Sequence, residues 1–168
     1  SILMSRTPWI YCALLADCSE VELSPEESRH LVGSHRRRLG ESIVLFDGAG
    51  SIAHAKLRDI KKRPLSSWAE IITKEFHPKP IRRTRLASAL PKGDRQGLML
   101  ELVTQLGITD FIPLLCTRSI SRPGKSGYAR WERILIETCK QCQRAWLPDL
   151  HSESTPADIL SNKLLTDE

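Results

Sequence analysis

The sequence predicts a mixed α and β chain in two parts, a small β-barrel-like domain followed by a parallel α/β domain. Three observations carry this. Short apolar runs of β type, punctuated by turn residues, occupy much of residues 9–72. The stretch "KEFHPKPIRRT" (74–84) then has two prolines one residue apart and no sustained period, as a linker would. After it, strand-like and helix-like segments alternate, which is the pattern of a parallel sheet with crossover helices.

Each element has its own reason. "WIYCALL" (9–15) is apolar enough for a strand. "SPEESRHLV" (24–32) reads as a short helix, since Ser24 can cap it, Pro25 suits its first position and Glu27 stands at capping-box spacing. "SIVLFDGAGSIAHAKL" (42–57) is two β runs around Asp47-Gly48-Ala49-Gly50, where glycine supplies the positive φ of a hairpin turn. "SSWAEII" (66–72) is a further strand. Beyond the linker, "TRLASAL" (84–90) is a strand, and Asp94 is placed to cap a helix ending at Gly107. The apolar face of that helix is predicted to be Leu98, Leu102, Val103 and Leu106. "DFIPLL" (110–115) is a strand whose Pro113 argues for an end or edge position. A second helix spans about 128–144, with Trp131, Ile134, Leu135, Thr138, Cys139 and Cys142 facing inward and Arg133, Glu137, Lys140, Gln141 and Arg144 outward. "HSESTPADILSNKLLTDE" (151–168) reads as an acidic surface helix with a frayed tail.

Charge is distributed unevenly. Residues 1–79 hold 12 Lys and Arg against 10 Asp and Glu, residues 80–147 hold 12 against 5, and residues 148–168 hold 1 against 5. The middle of the chain is therefore where a polyanion would bind. No apolar run reaches the roughly 20 residues that span a bilayer. Five cysteines without regular spacing fit a reducing cytoplasm, and Met4 reads as the natural start. Cys139 and Cys142 form one C-x-x-C; a zinc site would need two more ligands, from Cys12, Cys18 or His30, whereas the alternative is two cysteines on the apolar side of a helix. No metal is expected.

Several cationic groups stand out. Arg36, Arg37 and Arg38 in "SHRRRLG" (34–40) lie between helix and strand, where guanidinium groups can reach phosphate; a solvated basic turn is the alternative. Lys92 and Arg95 flank Gly93-Asp94 at the carboxyl end of a strand, where open α/β sheets place ligands and a helix start favours anions. Arg118, Arg122 and Lys125 in "TRSISRPGK" (117–125) follow the next strand. Gln141 and Arg144, three apart, can read a base edge or a phosphate, or stand in solvent. No hydrolytic constellation appears: G-x-S-x-G and H-E-x-x-H are absent, and His30 and His35 make no ligand pair by themselves.

Taken in order, the pieces His30-Leu31, Arg36, Gly40-Glu41, Phe46-Asp47-Gly48, Gly50, Lys92-Gly93-Asp94-Arg95, Leu106-Gly107, Pro113, Arg118-Ser119, Arg130-Trp131, Gln141, Arg144 and Pro148 resemble the RsmE family, with Arg6 matching an arginine near the family's start. These are SPOUT-superfamily methyltransferases acting on N3 of a uridine in small-subunit (16S) ribosomal RNA. The resemblance implies an N-terminal PUA-like small β-barrel that binds RNA (residues 1–78), then an α/β SPOUT methyltransferase domain, knotted and Rossmann-like (81–168). It implies S-adenosylmethionine as methyl donor, a homodimer at full length, and 16S ribosomal RNA or the small ribosomal subunit as partner in the cytoplasm, with no membrane. It makes Arg6, Arg36, Lys92, Arg95, Arg118, Gln141 and Arg144 the expected RNA contacts and assigns no catalytic base.

Departures accompany the likeness. Leu102 and Gln105 stand where the family usually has a lysine and a glutamate, and Lys140 where it usually has an acid. Nothing after Leu150 resembles the family's I-G-P-E-G-G loop or its later L-G-x-R-x-L-R-x-E-T-A stretch, which form the knot and most of the cofactor pocket. The expectation is an α/β domain incomplete at its C-terminus, with most of the cofactor pocket beyond the end of the chain, and hence a fragment unable to methylate. A non-catalytic RNA-binding module is the alternative. A small metabolic enzyme holding a phosphorylated substrate at Lys92-Gly93-Asp94 explains neither the barrel-like first domain nor the basic middle.

Overall fold

The computed structural model describes residues 6–13, 15, 17–116 and 125–161, without the side chains of residues 125 and 126. Two compact units result. One comprises residues 1–79 with 140–146, the other residues 80–139 with 147–168. The chain thus leaves the first unit once and comes back to it for seven residues, an excursion that no composition shift announces.

In the first unit, β1 (Trp9–Tyr11), β2 (Glu20–Leu23), β3 (Ser42–Phe46), β4 (Ser51–Lys62) and β5 (Leu65–Phe76) form a five-stranded sheet in the order β1-β3-β4-β5-β2. β1 and β3 run parallel, and the other pairs are antiparallel. The sheet curls around Ile10, Leu15, Val21, Leu23, Leu31, Ile43, Leu45 and Leu57. Register shifts at His54/Ala55 and Leu57/Asp59 bend the long β4–β5 ribbon, as bulges do. Among the described residues the ring is not closed by hydrogen bonds. A cleft lined by Tyr11–Ala13 and Glu22–Pro25 lies beside the two outer strands.

β2 was not expected, and β1 ends at Tyr11, short of the predicted run to Leu15. β5 continues to Phe76, so the first residues assigned to a linker are strand. The hairpin at Asp47–Gly50 is present: Asp47 Oδ1 accepts the Ala49 and Ser51 N–H groups at 2.8 and 3.0 Å. The helix begins as predicted, with Ser24 Oγ accepting the Glu27 N–H at 3.2 Å and Pro25 opening α1 (Pro25–Arg29). Glu27, buried, also meets Lys140 Nζ in an ion pair that ties the returning segment to α1.

That segment is held at Gly50 as well. Trp146 packs edge-on to Phe76 with ring centroids 6.3 Å apart, and its Nε1–H donates to the His77 carbonyl at 2.8 Å. Gly50, at φ +100°, donates to the Ala145 carbonyl at 3.1 Å. A Cβ there would stand 2.5 Å from the His77 carbonyl oxygen and 2.8 Å from both aromatic rings.

In the second unit, β6 (Arg85–Ala89), β7 (Asp110–Leu114) and β8 (Asp149–Leu150) make a parallel sheet in the order β6-β7-β8. α2 (Arg95–Gln105) and α3 (Lys125–Cys142) are the main helices, and α4 (Pro156–Ser161) follows β8. Pro113 therefore lies in the central strand, not an edge one, but next to its last residue, so the end alternative holds. It is tolerated because β8 pairs only with Asp110 and Phe111, upstream of it.

Of the face predicted for α2, only Val103 packs against the core. Leu100 and Thr104 are fully buried, while Leu98, Leu102 and Leu106 are 56%, 49% and 85% exposed. Apolar residues lie on both sides of this helix, so periodicity could not choose. Gly97 decides it, since its missing side chain lets Ile134 approach: a Cβ would meet Ile134 Cδ1 at 3.2 Å. Gly107 ends the helix at φ +95°, with Gly107 N–H to Thr104 O and Ile108 N–H to Val103 O, a Schellman closure. On α3 the inward set holds for Trp131, Leu135, Thr138 and Cys139, but Cys142 is exposed.

At the amino ends of the three strands lies a charged cluster. Arg83 Nη2 donates to Asp110 Oδ1 at 2.7 Å and to Asp149 Oδ2 at 2.8 Å, and Asp110 also meets His151 Nε2 at 2.8 Å and the Thr109 hydroxyl at 2.7 Å. Arg83 is thus no linker residue. Burial pushes the Asp110 carboxyl up, but hydrogen bonds from Arg83, His151 and Thr109 outweigh it and hold the group at about 2. The cluster faces away from the carboxyl ends of the strands, so it serves register.

Two outcomes follow from this packing. Gly50→Ala should lower the unfolding free energy by roughly 2–4 kcal/mol, measured by urea denaturation, because it adds left-handed strain to a backbone clash. Asp110, with its native pKa depressed, contributes stability fully present above about pH 4 and lost as pH falls toward 2. Wild type should lose about 2 kcal/mol more over that window than Asp110→Asn, read from denaturation at each pH.

Candidate nucleic-acid interface

The arginine-rich turn of the first unit is organised around its middle residue. α1 passes into a single π turn, His30–Ser34, closed by the His35 N–H on the His30 carbonyl at 2.9 Å. The Arg37 N–H then reaches the Leu31 carbonyl at 2.8 Å. Its guanidinium donates to Glu41 Oε2 at 3.0 Å and to the Arg6 carbonyl at 3.2 Å, and its side chain is only 12% exposed. Glu41 Oε1 accepts the Arg38 N–H at 3.3 Å, and Gly40, at φ +83°, donates to the Leu57 carbonyl. This brace forces Arg36 to φ +49°, a region that costs a non-glycine residue about 1 kcal/mol or more.

The three arginines are therefore not equivalent. Arg37 is built into the fold, while Arg36 and Arg38 are exposed to solvent. Arg6 is exposed too, and the Arg37 bond to its carbonyl holds it by the same turn. Sequence alone could not rank the three; the signal was Glu41, four residues after Arg37.

Gln141 and Arg144 belong to the segment that returns to the first unit. Gln141 is exposed in the last turn of α3. Helical spacing does not relate it to Arg144, because α3 ends at Cys142 and Gln143 takes φ +56°. Arg144 is half-buried beyond the helix. Lys140, expected on the outer face, is engaged with Glu27.

In the second unit, Lys92, on the turn between β6 and α2 where Gly93 takes φ +61°, and Arg95, the first residue of α2, are both exposed. Asp94 occupies the N-cap position without capping: its side chain makes no bond to the helix, and its nearest cation is Arg130 Nη2 at 3.9 Å. Gln96 Nε2 instead fastens the turn by donating to the Pro91 carbonyl at 2.9 Å. The first turn of α2 contains no acid, so its positive dipole end adds to Lys92 and Arg95. Arg118, with the rest of 117–124, lies outside the described residues.

Known proteins match this arrangement in order. A model described as an RNA methyltransferase PUA domain matches residues 23–66, and one described as an RNA methyltransferase domain matches residues 77–166. The chain belongs to the RNA methyltransferase family. Among its relatives, the ribosomal RNA small subunit methyltransferase E of Synechocystis is 30% identical over 80% of this chain and 44% of its own length. That of Bacillus subtilis is 31% identical over 77% of this chain and 53% of its own length. The chain spans about half the length of these curated relatives. A solved ribosomal RNA small subunit methyltransferase E from Neisseria gonorrhoeae, bound to S-adenosyl methionine, superposes with TM-score 0.77 at 29% identity, covering 92% of this chain and 64% of that one. A Legionella pneumophila protein described as a methyltransferase, in complex with SAM, gives 0.81 at 26% identity over 94% of this chain and 67% of that one. Residues 23–66 are thus the family's PUA-type part, and the chain shares the mixed α and β SPOUT methyltransferase fold of these solved structures.

In this family member, Arg36 and Arg37 should separate by experiment. Arg36→Gly removes a cation and relieves the left-handed strain, so thermal stability should hold or rise. Arg37→Ala leaves Glu41 without its guanidinium partner and should destabilise by roughly 1–3 kcal/mol, both read by thermal melts.

Proposed function

We propose that this chain serves the S-adenosylmethionine-dependent methylation of uridine N3 in small-subunit (16S) ribosomal RNA, and that its own residues do the RNA-holding part of that task. The observation that carries this reading is the exposed start of α2 at the carboxyl end of β6, where Lys92 and Arg95 outnumber the one acid, Asp94, in a chain whose relatives include ribosomal RNA small subunit methyltransferases. Arg6, Arg36, Lys92, Arg95, Arg118, Gln141 and Arg144 are the proposed contacts. Each phosphate neutralised by such a cation releases a counterion, and the fork of an arginine also fixes orientation.

The chemistry sets the demand. A uracil N3–H is weakly acidic and must lose its proton to become a nucleophile; the N3–carbon bond then forms as the donor's sulfur–carbon bond breaks. S-adenosylmethionine would supply that methyl group. Lys92 and Arg95 have the wrong charge to hold a sulfonium, but the right one to favour an electron-rich uracil anion and to orient the strand that bears it. The base has to leave its stack to be reached. The same reading makes the working protein a homodimer in the cytoplasm. Among the described residues, no helix is long and apolar enough to cross a membrane.

A second reading, a non-catalytic RNA-binding module, is favoured by Leu102, Gln105 and the Glu27-bound Lys140 at positions where the resemblance implies other charges. Calorimetric titration with S-adenosylmethionine separates the two: tight stoichiometric binding supports the enzyme, no heat supports the module. Both require RNA binding. Lys92→Ala with Arg95→Ala should weaken binding to a 16S fragment and reduce the slope of log K against log salt by about 1 per lost phosphate contact; an unchanged slope would reject this surface.

A further inference from the structure

Phe76 is the feature of the first unit that the proposed contacts leave unused. It is the last residue of β5 and is 65% exposed, although a ring of this size normally seeks cover. Its surroundings hold it in place. The strand pairs Phe76 with Ser51, the next residue's N–H binds the Gly50 carbonyl at 2.8 Å, and the ring meets Trp146 edge-on at 75°. Gly50 lies close enough that any Cβ would touch Phe76 Cε2 at 2.8 Å. Beside this pair, Lys79 Nζ stands 5.6 Å from the centre of the Trp146 ring.

We propose that Phe76 is a stacking platform for one unpaired nucleobase of the bound RNA, with Lys79 beside it as the cation for the adjoining phosphate. This rests on the RNA-binding reading above and adds a site to it. A flat, exposed ring packed on a tryptophan that carries a lysine over its own ring suits the two things a single-stranded nucleotide presents, a π face and a negative charge. An apolar protein partner fits less well. The nearest exposed apolar residue on its strand, Ile72, is four positions away with Lys74 between them on the same face. The ring's rigidity matters because ordering it on binding would otherwise subtract from affinity.

The test uses the chain as given, with two probes of equal length and charge: an oligouridylate and an abasic ribose-phosphate polymer. Wild type should bind the oligouridylate about tenfold more tightly than the abasic polymer, since stacking on one aromatic side chain is typically of that size. Phe76→Leu should lose the preference while keeping its affinity for the abasic polymer, and Phe76→Tyr should restore the preference. An oligouridylate preference that survives in Phe76→Leu overturns the platform and leaves the RNA reading standing. Failure of wild type to bind either polymer overturns both.

Discussion

A charge withdrawn from water has to meet an opposite charge, and three such meetings hold this chain together. Glu27 is buried against Lys140, Arg37 is nearly buried against Glu41, and Asp110 is buried against Arg83. Removing one member of any pair would strand the other, which is why pairs of this kind constrain a fold more than they stabilise it. Each closes a different gap in sequence. Glu27 fastens a segment that returns after more than a hundred residues, Arg37 shapes a turn, and Asp110 sets three parallel strands in register. The first unit could not include its seven-residue return without the first pair and the Trp146 packing at Gly50.

The same economy sorts the basic residues. A chain with an excess of cations can use some as fasteners and leave the rest to solvent. Arg37, Arg83 and Lys140 are fasteners, each with a carboxylate partner inside its own unit. Arg36, Arg38, Lys92 and Arg95 remain exposed, two on a strained turn and two beside a helix whose first turn carries no acid. The exposed set is what a polyanion would meet. The fasteners matter to it indirectly, because a cation on a wandering loop would lose much of its attraction to the entropy of ordering that loop.

Charge at the two ends of the small parallel sheet is divided in the same spirit. At the amino ends Arg83 bridges Asp110 and Asp149, so those charges are engaged with one another. The carboxyl end of β6 opens instead onto Lys92 and Arg95, with Asp94 turned out into solvent. Open α/β sheets place ligands at carboxyl ends because helix starts and loop amides gather there. The distribution of satisfied and unsatisfied charge follows that rule in a sheet of only three strands.

Local grammar was legible from the residues themselves. Ser24 and Pro25 opened a helix, Asp47–Gly50 turned a hairpin, and Gly107 stopped α2, because capping, turn dihedrals and left-handed closure depend on a few neighbouring residues. The order of motifs also disclosed the family, since each motif is local and only their sequence of appearance had to be read. What tertiary structure decided was everything that requires a distant partner. α2 has leucines on both sides, and only the approach of Ile134 over Gly97 chose which side to bury. Nothing near Arg83 or Phe76 told a linker from a charged clamp or the end of a strand. Which of three adjacent arginines would turn inward was settled by the position of Glu41 and of the Arg6 carbonyl, groups that meet only after the chain has folded.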